Sequence, residues 1–239
     1  MRLVSNQKLV ERNVTIGKYA FGGGMVLLLG AFAVNLYALS RPNDPQIVLY
    51  AFVAFIAGFT FTSLGTFFNN RWGRRPDRGL ADALKGLDDR HTLYNYRFGA
   101  AHVLVTPGGV FVLIPKYQSG AIVYTGGKWL NPGAPRGLFR GLFAGDALGN
   151  PTAEAAGEVE TLSAFLQKRA PEMGVAPQAL IVFMNPRAEV SAKAAPVPAV
   201  HVKQLKEHVR RLSKAPTLSA AALTDLEEKL GIAAPKAAT

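Results

Sequence analysis

Lys116 closes the apolar run Gly109-Val110-Phe111-Val112-Leu113-Ile114-Pro115, and no Asp or Glu lies between Asp89 and Asp146. An ammonium at a strand end can hold a phosphate without a metal, or it can simply be solvated; both roles are open for Lys116. Asp88, Asp89 and His91 put two carboxylates beside an imidazole, the side chains of acid–base chemistry, yet Asp-Asp before a strand is also ordinary turn chemistry. Lys203, Lys206, Arg210 and Arg211 repeat along one short segment and suit contact with an anion. The chain has no cysteine, which excludes a thiol nucleophile, a disulfide framework and a cysteine-based zinc site. It has no Gly-x-Ser-x-Gly elbow, no phosphate-binding P-loop and no His-Glu-x-x-His.

Lys116 must be positioned by a hairpin. Val103 to Val105 and Gly109 to Ile114 are rich in β-branched and aromatic residues, and Pro107-Gly108-Gly109 marks the reversal. The nearly continuous apolar character predicts strands covered on both faces. Asp77 to Leu87 predicts a helix through Leu80, Ala81, Leu84 and Leu87, and Thr92 to Arg97 a strand. Gly120 to Tyr124 reads as a short strand, and residues 131–149 as a glycine-rich loop. Asn150-Pro151 opens a helix whose apolar face is Ala155, Val159, Leu162, Phe165 and Leu166 and which stops before Pro171. Ala179 to Met184 reads as a buried strand, Glu189 to Pro198 as a polar loop, Val200 to Val202 as a last strand and Gln204 to Leu212 as a basic helix. Leu223, Leu226 and Leu230 give a short amphipathic helix packed on the domain, capped by Gly231, with a disordered tail from Ile232.

The first third of the chain is of another kind. Tyr19 to Ser40 and Pro45 to Asn70 carry no charged residue, and a helix needs about 20 apolar residues to cross a bilayer. A cleaved signal peptide does not fit two successive runs of this length. We read a transmembrane hairpin with spans 19–40 and 45–70 inside a segment 19–75. Lys8, Arg12 and Lys18 flank one side and Arg71, Arg74, Arg75 and Arg78 the other, so the positive-inside rule puts the segment 1–18 and everything after Asn70 in the cytoplasm of an inner-membrane, multi-pass protein. Ala20/Gly24 and Ala54/Gly58/Thr62 repeat every fourth position, which suits close helix contact within the hairpin or between copies in a homo-oligomer. The formal net charge of +11 favours anionic partners, nucleic acid or anionic lipid, without choosing between them.

The hairpin His102-Val103-Leu104-Val105, Pro-Gly turn, Gly109-Val110-Phe111-Val112 and Lys116 resembles the core of the NERD (nuclease-related) domain, a branch of the PD-(D/E)xK nuclease-like fold. The Asn150-Pro151 helix start and the strand end at 182–186 are similar to the same family. The resemblance covers about 77–212 and implies an α/β (α+β) restriction-endonuclease-like domain with a mixed central sheet over 76–212, after two membrane helices and before a C-terminal segment 213–239. It implies phosphodiester hydrolysis with Mg²⁺ held by two carboxylates beside the lysine. The family's aspartate falls on Ala101 and its glutamate on Ile114, neither of which can bind a hard cation, so the expected domain is catalytically degenerate, with no cofactor and no metal. His102 matches a family histidine and reads as a structural residue. Asp77 corresponds to an upstream acid or is a helix-start charge. The expected role is binding or scaffolding at the membrane, with nucleic acid touched by Lys116, Lys203, Lys206, Arg210 and Arg211. The alternatives are a metal-dependent nuclease whose carboxylates have moved, and a structural membrane protein whose basic surface faces lipid.

Overall fold

A computed structural model of the protein describes residues 1–40, 45–132 and 148–230. The connector 41–44, most of the loop read at 131–149, Gly231 and the tail lie outside the described residues. The chain divides into two compact units, residues 7–75 and the remainder, 1–6 together with 76 onward.

The first unit is a pair of long apolar helices, α1 (Gln7–Leu39) and α2 (Pro45–Phe68), each long and apolar enough to cross a membrane. A π-helical turn, Asn69–Gly73, continues α2. Gly17, Gly24, Ala31 and Ala38 are buried on α1, and Ala51, Gly58 and Gly65 on α2, both sets spaced by seven. A seven-residue repeat of small residues lets two backbones approach along a left-handed seam. A Cβ at Gly24 would lie 2.4 Å from the Thr62 nitrogen, one at Gly58 2.9 Å from Leu28 and one at Gly65 2.3 Å from the Phe21 nitrogen. The small-residue faces therefore close the hairpin on itself, which is one of the two uses the sequence allows. The first helix starts at Gln7, two turns or more before the uncharged run, because no proline or glycine interrupts Gln7 to Ile16.

The second unit is α+β, with one mixed sheet of six strands. These are β1 (Arg2–Ser5), β2 (Thr92–Phe98), β3 (Ala100–Thr106), β4 (Gly109–Lys116), β7 (Gln178–Phe183) and β9 (Ala199–His201), side by side in that order. β3 runs antiparallel to β2 and β4, and the other pairs are parallel. The hairpin β3–β4 is central, as its apolar run predicts. Side chains of a strand alternate between faces, and the two cores separate along that alternation. Val103, Val105, Val112, Ile114, Ile181 and Phe183 pack on helices α4 (Pro151–Arg169) and α6 (Ala220–Lys229) through Ala155, Leu162, Leu166, Leu223 and Leu226. Leu104, Phe111, Leu113, Leu180 and Val182 pack on α3 (Pro76–Leu84) and α5 (Val202–Leu212) through Leu80, Leu84, Leu205 and Val209. A second sheet joins β5 (Gly120–Thr125) to β6 (Lys128–Leu130) and β8 (Ala188–Ser191).

Three features depart from the sequence reading. The segment 1–18, read as one piece, is divided: Arg2–Ser5 pairs in parallel with Thr92–Asn95, and the rest belongs to α1. Four residues carry no usable alternation, and only the partner strand defines them. Glu189 to Ser191, read as the start of a loop, makes up three of the four residues of β8, paired in parallel with β5. The helix expected over 77–87 ends at Leu84, before Gly86 at φ +83°.

Candidate functional site

The carboxyl ends of the parallel strands β2, β4, β7 and β9 form one edge of the main sheet, where ligands of α/β sheets usually bind. The chain leaves this unit there, after Ser5 at the end of β1. It returns along the same edge in α3, where a Cβ at Gly79 would meet the side chain of Met184, the residue after β7.

Ala101 and Ile114 share the face of their strands with Val103 and Val112, the face covered by α4. Ile114 is buried in that core, and Ala101 is half-buried. Helix α4 begins in the way its sequence dictates: Asn150 accepts a hydrogen bond from the Ala153 nitrogen at 3.2 Å and Pro151 occupies the first turn. Trp129 Nε1 donates to Thr152 Oγ1 at 2.8 Å and fixes the helix against β6. This start sets two carboxylates, one turn apart, over the sheet edge. Lys116 Nζ donates to both carboxylate oxygens of Glu154 at 2.6 Å, and to the Leu148 carbonyl at 3.4 Å. The Ala101 nitrogen donates to Glu158 Oε2 at 3.0 Å.

Lys116 is thus neither a solvated strand end nor open to a ligand: its side chain is 10% exposed and its charge is balanced by Glu154. Its removal from the surface has a plain cause, since Pro115-Lys116 pairs in register with Val182-Phe183 and the side chain points toward α4. The sequence reading assigned α4 its apolar face but not Glu154 and Glu158. The signal was there: each acid precedes a core-facing position, Ala155 or Val159, and so flanks the face that meets the sheet. These residues do not fit a magnesium ion. Ala101 and Ile114 offer no oxygen, Glu154 is engaged by an ammonium, Glu158 by a backbone N–H, and no group of three metal-ligating side chains occurs among the described residues.

His102 is buried in β3. Asn95 Nδ2 donates to Ser5 Oγ at 2.9 Å, so its Oδ1 accepts, and His102 Nδ1 at 2.7 Å carries the proton. The Tyr96 ring meets His102 edge-on at a β-bulge where Tyr96 has φ +57°. Asp77 is buried in the first turn of α3.

Asp88 and His91 join a residue absent from the sequence reading, Ser213 after α5. His91 Nδ1 lies 2.8 Å from Asp88 Oδ1 and Nε2 lies 3.0 Å from Ser213 Oγ. Arg90 beside Asp88 holds that carboxyl well below the usual carboxylate range. The spacing is that of a Ser-His-Asp relay, but nothing there stabilises an oxyanion. The nitrogens of Ser213 and Lys214 already donate to the Val209 and Arg211 carbonyls, and Ser213 Oγ also donates to Val209 O. The trio instead clamps the turn before β2 to the end of α5.

On α5, Lys203, Arg210 and Arg211 are exposed and Lys206 is half-buried, its ammonium lying over Gly86. Leu205 and Val209 hold the helix to the sheet, so the cations line its outer face. Glu207 is the acid among them, 3.9 Å from Arg210. His208 is pushed down by burial and by the Arg211 charge. No protein-family model, no curated protein and no solved structure matches the chain.

Proposed function

We propose that the protein is a membrane-anchored binding or scaffolding protein. Its second unit is a nuclease-related domain whose catalytic edge is closed by its own helix. The carrying observation is the Lys116–Glu154 pair. On the NERD resemblance Lys116 is the lysine of the motif, and here its ammonium is buried against a carboxylate from α4. A lysine so paired contributes no free charge to a phosphate, and the two motif carboxylates are alanine and isoleucine. Among the described residues of the second unit, the outer face of α5 is the surface offered to an anion, with nucleic acid as the partner and Lys203, Lys206, Arg210 and Arg211 as its contacts. The membrane reading is supported by the two long apolar helices and by the basic residues at the ends that lead into the second unit.

The test uses the full chain in detergent with linear and supercoiled DNA and with RNA, in Mg²⁺ and Mn²⁺. Binding without cleavage is expected, with log affinity falling by about 0.9 per phosphate contact for each log unit of salt. Glutamine at the four α5 positions abolishes it. Absence of binding at low salt rules out the nucleic-acid role.

The alternative, a nuclease with relocated carboxylates, requires Glu154 and Glu158, which reach the motif edge from one helix face, to exchange Lys116 and the Ala101 nitrogen for a metal ion. Metal-dependent cleavage lost in both Glu154→Gln and Lys116→Ala selects that reading.

A further inference from the structure

The helical unit carries its own charged surface. Gly17 of α1 lies against Phe68 and Asn69, and the two helices run antiparallel with equal rise, so Arg12 stands level with Arg74 and Lys18 with Phe68. Arg12, Lys18, Arg71 and Arg74 are all exposed, and Arg75 is half-buried. Glu11 is the single acid from Gln7 to Ser40, and from Pro45 to Arg75 there is none. At 1.5 Å per residue the band from Arg12 to Lys18 is about 9 Å tall. The headgroup layer of one leaflet is about 5–8 Å thick, and the hydrocarbon core about 30 Å. The uncharged part of α1 from Tyr19 onward is about 30 Å long on the same arithmetic. The Arg71 guanidinium lies 5.4 Å from the centre of the Trp72 ring, an aromatic at the foot of the apolar section. The cation band therefore has the height of a headgroup layer and begins where the apolar surface ends.

We propose that this band, Arg12, Lys18, Arg71 and Arg74, binds the phosphates of anionic phospholipids in the leaflet it meets. The inference rests on the reading of α1 and α2 as a membrane hairpin. Two helices side by side present cations from both, so one headgroup can be contacted from α1 and α2 together. The band attracts the net negative charge of an anionic headgroup, whereas in a zwitterionic one the choline cation offsets the phosphate, so the selection is for net headgroup charge. Nucleic acid does not suit this surface, because its cations adjoin apolar side chains that need lipid.

The full chain is reconstituted into phosphatidylcholine vesicles with and without phosphatidylglycerol. Resistance to alkaline extraction reports insertion, and spin-labelled phosphatidylglycerol and phosphatidylcholine report which lipid the protein holds. Insertion in both vesicles is expected, with phosphatidylglycerol preferred. Glutamine at all four positions lowers that preference by about 10-fold or more, and so does high salt. Lysine at positions 71 and 74 retains it, because charge and not guanidinium shape is read. Glutamine at Lys203, Lys206, Arg210 and Arg211 leaves it unchanged. Insertion with equal occupancy by the two lipids, or a preference that follows the α5 variant, overturns the lipid site and leaves the hairpin standing. Failure to insert overturns the hairpin and the lipid site with it.

Discussion

At the scale of single residues, the edge of the sheet is governed by where charge is buried. The Lys116 side chain is 10% exposed and that of Glu154 49%, so the pair lies between a surface bridge and a buried one. Glu154→Ala leaves an ammonium in the core wall, and we expect a loss of about 1–3 kcal/mol. Lys116→Met with Glu154→Gln recovers most of it, since no unpaired charge remains. Thermal unfolding followed through Trp129, whose indole nitrogen is tied to α4 at Thr152, reads both. Equal losses in the single and double variants would show that the pair is not coupled. A second residue-scale outcome concerns the motif acids. Ile114 is 6% exposed among Val112, Ile181 and Phe183, so Ile114→Glu buries a carboxylate with no partner and lowers stability by about 3 kcal/mol or more. A fully folded Ile114→Glu protein that binds Mn²⁺ would contradict this. The strand positions of Lys116 and His102 were legible because each lies in a patterned run. Glu154, Glu158, Glu227 and Ser213 were not, because their partners are remote in sequence. Glu227, for instance, accepts hydrogen bonds from Arg2, Thr92 and Tyr94, and nothing local to an exposed-looking helix acid announces that.

At the scale of elements, the strands and helices whose own sequence carries a period were legible, and those defined by a partner were not. The hairpin β3–β4 and the helix α4 follow from β-branched runs, a Pro-Gly turn and an Asn-Pro cap. β1 and β8 have four residues each and take their structure from β2 and β5. The helical pair makes a sharper expectation, since its glycines divide by environment. Leucine at Gly24 or Gly65 collides with the facing backbone, whereas Gly22, Gly23 and Gly30 have nothing within 4 Å of a Cβ. Leucine at 24 or 65 should separate the helices and lower the melting temperature in detergent, and leucine at 22, 23 or 30 should leave both as they are. Because the chain has no cysteine, spin labels at introduced cysteines on α1 and α2 measure the separation directly. An element-scale pH dependence belongs to α5. His208 is lowered by burial and then by Arg211, so the folded state favours the neutral imidazole. The unfolded chain then binds more protons around its ordinary pKa of about 6.5, and stability falls as pH drops through that value toward the lowered one. His208→Gln should flatten this loss between about pH 7 and pH 5, as urea midpoints would show; an unchanged slope would place the dependence elsewhere.

At the scale of the whole molecule, β1 constrains the topology more tightly than charge does. Arg2 to Ser5 pairs in register with Thr92 to Asn95, so residues on either side of the helical unit belong to one sheet. The sheet side is fastened further: Arg2 forms an ion pair with Glu227 of α6, and Asn95 Nδ2 donates to Ser5 Oγ. Two strands hydrogen-bonded in register lie within about 5 Å of each other and so on the same side of a bilayer whose core is about 30 Å thick. On the membrane reading, the chain that leaves the sheet after β1 and rejoins it in α3 must therefore cross twice or not at all. Two crossings fit α1 and α2, with about 30 Å and about 36 Å of uncharged helix, and they leave 2–5 and 76 onward on one side. The positive-inside rule gives the expectation that this side is the cytoplasm. Single cysteines introduced at Ser40 and at Ser219 test both statements in intact cells with a membrane-impermeant maleimide. Ser40→Cys should be labelled from outside, and Ser219→Cys only after permeabilisation. Labelling of neither before permeabilisation and of both after it would mean that the helices do not span. Labelling of Ser219→Cys from outside would invert the orientation while leaving the two-crossing rule intact. Replacing Leu3 and Val4 with proline removes the Val4 ladder donor, between the Arg2 and Asn6 nitrogens that also bond β2, and should free the strand. Loss of the Leu93 and Asn95 amide protection against hydrogen exchange, on the side of β2 whose carbonyls accept from β1, with labelling at Ser40→Cys unchanged, would show that the sheet joins the two ends while the hairpin inserts by itself.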